Sequence, residues 1–179
     1  DYCGVPLRDD FSLDREAMLA AIAEKKPALT FLAQPNNPTG NLWAEDDLVA
    51  IIEACNTSDY QGLVVLDEAY LPFSSLDHLS WLDRFENVVV MRTLSKVGLA
   101  GLRLGMLFGR KEWLSELDKI RMPYNINVLT QASAAFALKH YDVLMKQCDV
   151  LKTEREKMHE KLLELGFAAF DSEANFILA

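Results

Sequence analysis

Leu63-Val-Val-Leu66 constrains the fold more than any other stretch of this chain. A continuously apolar run, ending at Asp67-Glu68, is what a central strand of a parallel sheet needs when both of its faces are covered. Two comparable runs, Ala28-Leu-Thr-Phe-Leu32 and Asn87-Val-Val-Val-Met91, flank it in sequence, and a fourth, Leu104-Gly-Met-Leu-Phe108, follows. A helical pattern lies between the first and second runs and a short amphipathic stretch between the second and third, and the expected class is α/β with an open, mostly parallel sheet.

The helices are read from caps and spacing. Asp14 is an N-cap for a helix with Ala17, Met18, Ala21 and Ile22 inside, ending near Lys25-Lys26-Pro27. Glu45, Asp46 and Asp47 open the next helix at its positive end, with Leu48, Ile51, Ile52 and Cys55 as its buried stripe. Asn56 to Gly62 reads as a polar turn, and a short amphipathic stretch surrounds Leu79, Trp81 and Leu82. A helix from Lys111 to Arg121 places Trp113, Leu114, Leu117 and Ile120 inside and stops before Pro123. After Tyr124-Asn-Ile-Asn127, another should bury Leu129, Ala132, Ser133 and Phe136. A long helix from about Asp142 to Leu165 carries Leu144, Cys148, Leu151, Met158, Leu162 and Leu165 at helical intervals, and Gly166 stops it. From Phe167 the composition turns strand-like, so residues 142–179 are expected to be an interdomain helix and the start of a second, small domain after a large domain in 1–141.

Three of the apolar runs end in polar clusters with complementary chemistry. The first leads into Gln34-Pro-Asn-Asn-Pro-Thr-Gly40, whose prolines and glycine hold two asparagines in fixed directions. The second delivers Asp67-Glu-Ala-Tyr70, where a carboxylate beside a dry sheet needs a positive partner. The third opens Thr93-Leu-Ser-Lys96-Val-Gly-Leu-Ala-Gly-Leu-Arg103-Leu-Gly105, in which Lys96 sits among hydroxyls and glycines. Open α/β sheets keep their ligands at such strand ends. A lysine held there can be desolvated, which favours the neutral amine that attacks a carbonyl.

Several function classes are set aside. The net charge is −9 and no basic run occurs, which argues against nucleic acid as a partner. No stretch is long and apolar enough for a membrane span, and neither end reads as a signal peptide. Cys3, Cys55 and Cys148 are scattered without metal-ligand spacing and are expected to be reduced thiols of a cytoplasmic protein. His78, His140 and His159 are isolated, with surface or core roles expected. The first residue is Asp1, and Asn175-Phe-Ile-Leu-Ala179 reads as an interrupted strand, so a segment of a longer polypeptide is expected.

Asn36-Asn-Pro-Thr-Gly40, Asp67-Glu-Ala-Tyr70 and Ser95-Lys96 with Gly101-Leu-Arg103, in this order, resemble the large domain of fold-type I pyridoxal-phosphate aminotransferases. Within that superfamily the Leu-Ala-Gly-Leu-Arg and Pro-Tyr-Asn-Ile-Asn stretches are similar to the histidinol-phosphate aminotransferases. The resemblance runs over essentially the whole chain, although the family's chains are about twice as long. It implies a three-layer sandwich around a mostly parallel sheet, pyridoxal 5′-phosphate as cofactor, and a homodimer. The implied reaction moves an amino group between histidinol phosphate, a phosphorylated amino compound, and the 2-oxo acid 2-oxoglutarate.

By the same resemblance, Lys96 would join the cofactor aldehyde and later shuttle the substrate proton. Asp67 would pair with the ring nitrogen, and Asn37 and Tyr70 would bond the ring's phenolic oxygen. Ser95 and Arg103, with Thr93 as a weaker third, would hold the phosphate. Tyr124 and Asn125 are candidates on the substrate side. The rest of the cofactor contacts are expected before Asp1 and the substrate-carboxylate contact after Ala179. A related decarboxylase of a phosphorylated amino acid, an aromatic aminotransferase, a cofactor-sensing regulator without turnover, and a plain α/β domain remain as other readings.

Overall fold

In the computed structural model, which describes residues 1–179, four strands form one sheet in the order β1-β4-β5-β6. These are β1 (Leu29–Ala33), β4 (Leu63–Asp67), β5 (Val88–Thr93) and β6 (Gly105–Gly109). The first three run parallel and β6 is antiparallel to β5. The register sets Ala33 opposite Asp67 and Asp67 opposite Met91, so β1 and β4 end level while β5 runs on to Thr93. The expected mostly parallel α/β sheet is the one observed.

Alternation along the strands divides the core. Leu32, Val64, Leu66, Val88 and Val90 face α1 (Arg15–Lys25), α2 (Glu45–Ala54) and the short α3 (Trp81–Arg84), and join Ile22, Leu48, Ile51, Ile52 and Trp81 in the largest apolar cluster. The acids of α2 stand in its first turn as expected, and Leu48, Ile51, Ile52 and Cys55 are all completely buried. Burial of each large aliphatic chain contributes about 1.5–3 kcal/mol. Asp14 caps α1 by accepting the Ala17 N–H at 3.0 Å.

On the opposite face Leu63, Val65 and Val89 pack with Met91, Leu107 and Trp113 of α4 (Lys111–Ile120). That cover does not reach β1, where Leu29 and Phe31 are 50% and 62% exposed. A third cluster joins Tyr70, Phe73, Leu94 and Val97 beyond the strand ends to Ala134 of α5 (Val128–Lys139) and Cys148 of α6 (Tyr141–Glu164).

Four expectations are corrected. Helix α5 buries Thr130 and Ala134, whereas Leu129 and Phe136 are exposed; the helix carries apolar residues on every side, so spacing alone selects no face. Ile120 of α4 is exposed, as are Leu151, Met158 and Leu165 on or just beyond α6, because these positions turn away from the sheet. The Asn56–Gly62 turn contains a minimal hairpin of β2 (Asn56–Thr57) and β3 (Tyr60–Gln61). No strand forms after Phe167. The segment has no neighbouring strand to pair with and instead lies back on the loops, with the Glu173 N–H donating to the Gly40 carbonyl at 2.7 Å.

Gly166 does stop α6. Its φ of +87° lets its N–H reach the Leu163 carbonyl while Phe167 N–H reaches Leu162, which closes the last carbonyls of the helix. No helix is long and apolar enough to cross a membrane.

Candidate active site

The site lies at the C-terminal ends of β1, β4 and β5, which share one edge of the sheet. After β1 the chain enters Gln34–Gly40, in which the Gln34 side chain holds the backbone of Trp43 from both sides. Asn36 is buried and donates to Thr39 Oγ1 at 2.6 Å, whereas Asn37 reaches across and donates to the Tyr70 hydroxyl at 2.9 Å. One of the paired asparagines therefore builds the loop, and the other joins it to the loop after β4. Gly40 has φ +78°, and a Cβ there would lie 2.5 Å from Ser172 Oγ, so the sequence needs glycine for both conformation and space.

Asp67 closes β4. Its Oδ1 accepts the Ala69 N–H at 3.0 Å, an Asx turn that fixes the carboxylate, and it forms no ion pair. Burial pushes its carboxyl above the usual 3.8; the Ala69 N–H and the charge of Lys96 pull it partly back. Such a carboxylate gains from any cation brought beside it.

Lys96 stands in the short 3₁₀ turn Ser95–Val97 after β5. Its Nζ lies 4.8 Å from the centre of the Tyr70 ring, a cation–π contact, and no carboxylate pairs with it. Tyr70 is buried and is fixed on its other edge by Phe176, whose ring meets it edge-on at 5.1 Å. Lys96, Tyr70 and Asn37 thus form one connected group.

The two hydroxyls of this turn are locked together. Thr93 Oγ1 accepts the Ser95 N–H at 3.0 Å, and its one hydrogen is shared between Ser95 Oγ at 2.9 Å and the Leu104 carbonyl at 3.2 Å. Arg103 is exposed, in a left-handed conformation (φ +50°), and bonds only within its own turn, to the Ala100 carbonyl at 3.4 Å. Its backbone is nevertheless close to the hydroxyls, since Leu94 N–H bonds the Leu104 carbonyl and Thr93 pairs with Gly105.

Tyr124 and Asn125 are placed elsewhere. Tyr124 is 97% exposed, and Asn125 accepts from Arg121 at 2.7 Å; both line an open apolar concavity of about 600 Å³ with Leu104, Ala134 and Leu138. A second, polar cleft of about 370 Å³ lies between α6 and the C-terminal segment, around Arg155 and His159. Neither shares a lining residue with the Lys96 group.

Sequence reasoning missed the company of Glu68. Its side chain is fully buried, with Oε1 accepting the His78 backbone N–H at 3.0 Å and facing His78 Nδ1 at 2.8 Å, and Oε2 accepting from Arg92 at 2.8 Å. Arg92 also donates to Asp77 at 2.7 Å. The available signal was the alternation that turns Glu68 away from Asp67 and Arg92 away from Thr93.

The family model for aminotransferase class I and II matches residues 3–179. A histidinol-phosphate aminotransferase 2 of Cupriavidus pinatubonensis is 53% identical over all of this chain and 49% of its own length. Among solved structures, histidinol-phosphate aminotransferase from Sinorhizobium meliloti in complex with pyridoxal-5′-phosphate superposes with a TM-score of 0.85 at 32% identity, over 98% of this chain and 48% of that one. A decarboxylase from Sulfurospirillum multivorans gives a TM-score of 0.76 at 25% identity, over 97% of this chain and 52% of that one. The chain spans about half the length of the curated relatives it matches.

Proposed function

The chain belongs to the class I and II aminotransferase family, and from that premise we propose that it forms the cofactor-holding part of a pyridoxal 5′-phosphate-dependent histidinol-phosphate aminotransferase. In this reading residues 1–141 belong to the large domain, residues 142–179 lead into a small one, and the enzyme works in the cytoplasm as a homodimer. The observation that carries the reading is an amine and a carboxylate, Lys96 and Asp67, without ion-pair partners at neighbouring strand ends.

The donor set fits the group it would hold. Lys96 offers an amine for an aldehyde, Asp67 a carboxylate for a protonated ring nitrogen, and Asn37 with Tyr70 two polar hydrogens for a phenolic oxygen. Ser95, Thr93 and Arg103 offer hydroxyls and a guanidinium for a phosphate dianion. When bound, pyridoxal phosphate supplies an electron sink for the pair released as the substrate α-proton leaves.

This chain's residues do the rest. Lys96 would hold the aldehyde through Nζ, and its amine, when free, would move the proton at the substrate α-carbon. Asp67 would keep a proton on the ring nitrogen, because a cation beside it offsets the desolvation of its carboxylate. The Asn37–Tyr70 pair would bond the phenolic oxygen, and the Ser95 hydroxyl would donate to the phosphate.

The test is direct. Imidazole-acetol phosphate and glutamate, incubated with the cofactor-loaded protein, should yield histidinol phosphate and 2-oxoglutarate. Release of carbon dioxide from a phosphorylated amino acid, with no amino transfer, would replace this reading by the decarboxylase one.

A further inference from the structure

Glu68 poses a physical question that the reaction leaves unanswered. Its carboxylate is fully buried, its partner Arg92 is only 18% exposed at the side chain, and such pairs gain little stability over apolar residues of the same size. The position of the pair gives it a use. Glu68 follows Asp67 at the end of β4, Arg92 precedes Thr93 at the end of β5, and the Glu68 N–H bonds the Met91 carbonyl at 2.8 Å. The guanidinium fork therefore ties the ends of two strands on one face of the sheet. On the other face the same two ends carry Asp67 and the turn of Thr93, Ser95 and Lys96.

We propose that Glu68 and Arg92 are positioning residues for the cofactor: their buried ion pair, backed by His78, sets the separation between the Asp67 carboxylate and the Thr93–Lys96 turn. The bond network leaves little slack. Both Glu68 oxygens are engaged, one by the backbone and ring of His78 and the other by Arg92. His78 is fixed in turn by its edge-on contact with Trp81 at 4.5 Å, and Asp77 restrains the far side of the guanidinium. A ring held at its nitrogen by one strand and at its phosphate and aldehyde by the next senses any change in their spacing. Misplacement by about 1 Å is enough to cost on the order of 100-fold in a positioned site.

The inference rests on the proposed cofactor, and its test separates the two. Glu68→Gln keeps the shape and the His78 bonds but removes the charge that holds Arg92. Measured by absorbance titration, its affinity for pyridoxal phosphate should fall by roughly 10-fold, and the band of the lysine-bound cofactor should shift in position or intensity. Arg92→Lys, which keeps the charge and loses the fork, should show the same change to a lesser degree and serves in its place if Glu68→Gln fails to fold. Ile52→Ala, on the same face but remote from the strand ends, should lower the thermal midpoint and leave affinity and band unchanged. Unaltered affinity and spectrum in Glu68→Gln, or an equal loss in Ile52→Ala, would overturn the proposal while leaving the cofactor assignment intact. No uptake of pyridoxal phosphate by the unsubstituted protein would overturn both.

Discussion

On one face of the sheet Leu32, Val64, Leu66, Val88 and Val90 are at most 1% exposed, while on the other Leu29 and Phe31 of the same β1 strand stand open to solvent. The first face is closed by α1, α2 and α3, and the second only by α4, which lies over β6. Alternation at the strand ends follows the same division. Glu68 and Arg92 belong to the closed face and are tied to each other, whereas Asp67 and Thr93 fall on the less covered one and bond only within their own strand ends and turns. The dense side fixes the backbone, and groups that must meet a ligand are placed where packing leaves them room.

The largest effect separates the two lysines that the strand ends present. Lys96→Ala should lower turnover by at least about 10⁴-fold and abolish borohydride labelling. Lys111, in the exposed first turn of α4, should tolerate alanine without loss. Equal losses in both, by steady-state assay, would end the assignment of the amine.

Next come two deletions from the opposing faces. Ile52→Ala empties a completely buried site and should cost about 2–5 kcal/mol in urea unfolding, whereas Phe31→Ala should stay within about 0.5 kcal/mol. Similar costs at both positions would mean that the face over β1 is covered in the protein tested.

The closed face was largely legible in the sequence because its helices are amphipathic. Leu48, Ile51, Ile52 and Cys55 recur at helical spacing among acids and point one way, and the structure buries all four. Helix α5 offers no such contrast: Val128, Leu129, Ala134, Phe136 and Leu138 surround it, so the buried side is chosen by what lies next to it. The polar clusters at the strand ends were visible as motifs. Which asparagine faces Tyr70, and which carboxylate meets Arg92, depends on contacts between residues 24 to 33 positions apart, beyond any local pattern.

A third experiment turns on Asp67, the carboxylate of the less covered face. Its folded pKa is raised by burial above the usual 3.8. Below that value both folded and unfolded chains hold the proton and the group contributes nothing; as pH rises, the unfolded chain releases it first, so stability falls until the folded value is passed. Asp67→Asn should therefore make the cofactor-free protein more stable near neutral pH, with the gain vanishing as pH drops through 3.8 in urea titrations. If Asp67 holds the role proposed for it at the ring nitrogen, the same change should reduce turnover about 100-fold.

The smallest expected effect tests whether the two sides also differ in cooperativity. Asp14 caps α1 by accepting the Ala17 N–H at 3.0 Å, and Asn127 caps α5 by accepting the Thr130 N–H at 2.9 Å. The two bonds are chemically alike, and the loss of either is worth about 1 kcal/mol to its helix. Helix α1 packs along α2 over the closed core, so fraying there exposes Ile22 and should appear in global unfolding. Helix α5 buries only Thr130 and Ala134, so its first turn can open without disturbing the sheet. Asp14→Ala should thus lower the urea unfolding free energy by about 1 kcal/mol, whereas Asn127→Ala should leave it unchanged and accelerate hydrogen exchange only in the first turns of α5. A global loss in Asn127→Ala would show that α5 is as tightly coupled to the core as α1.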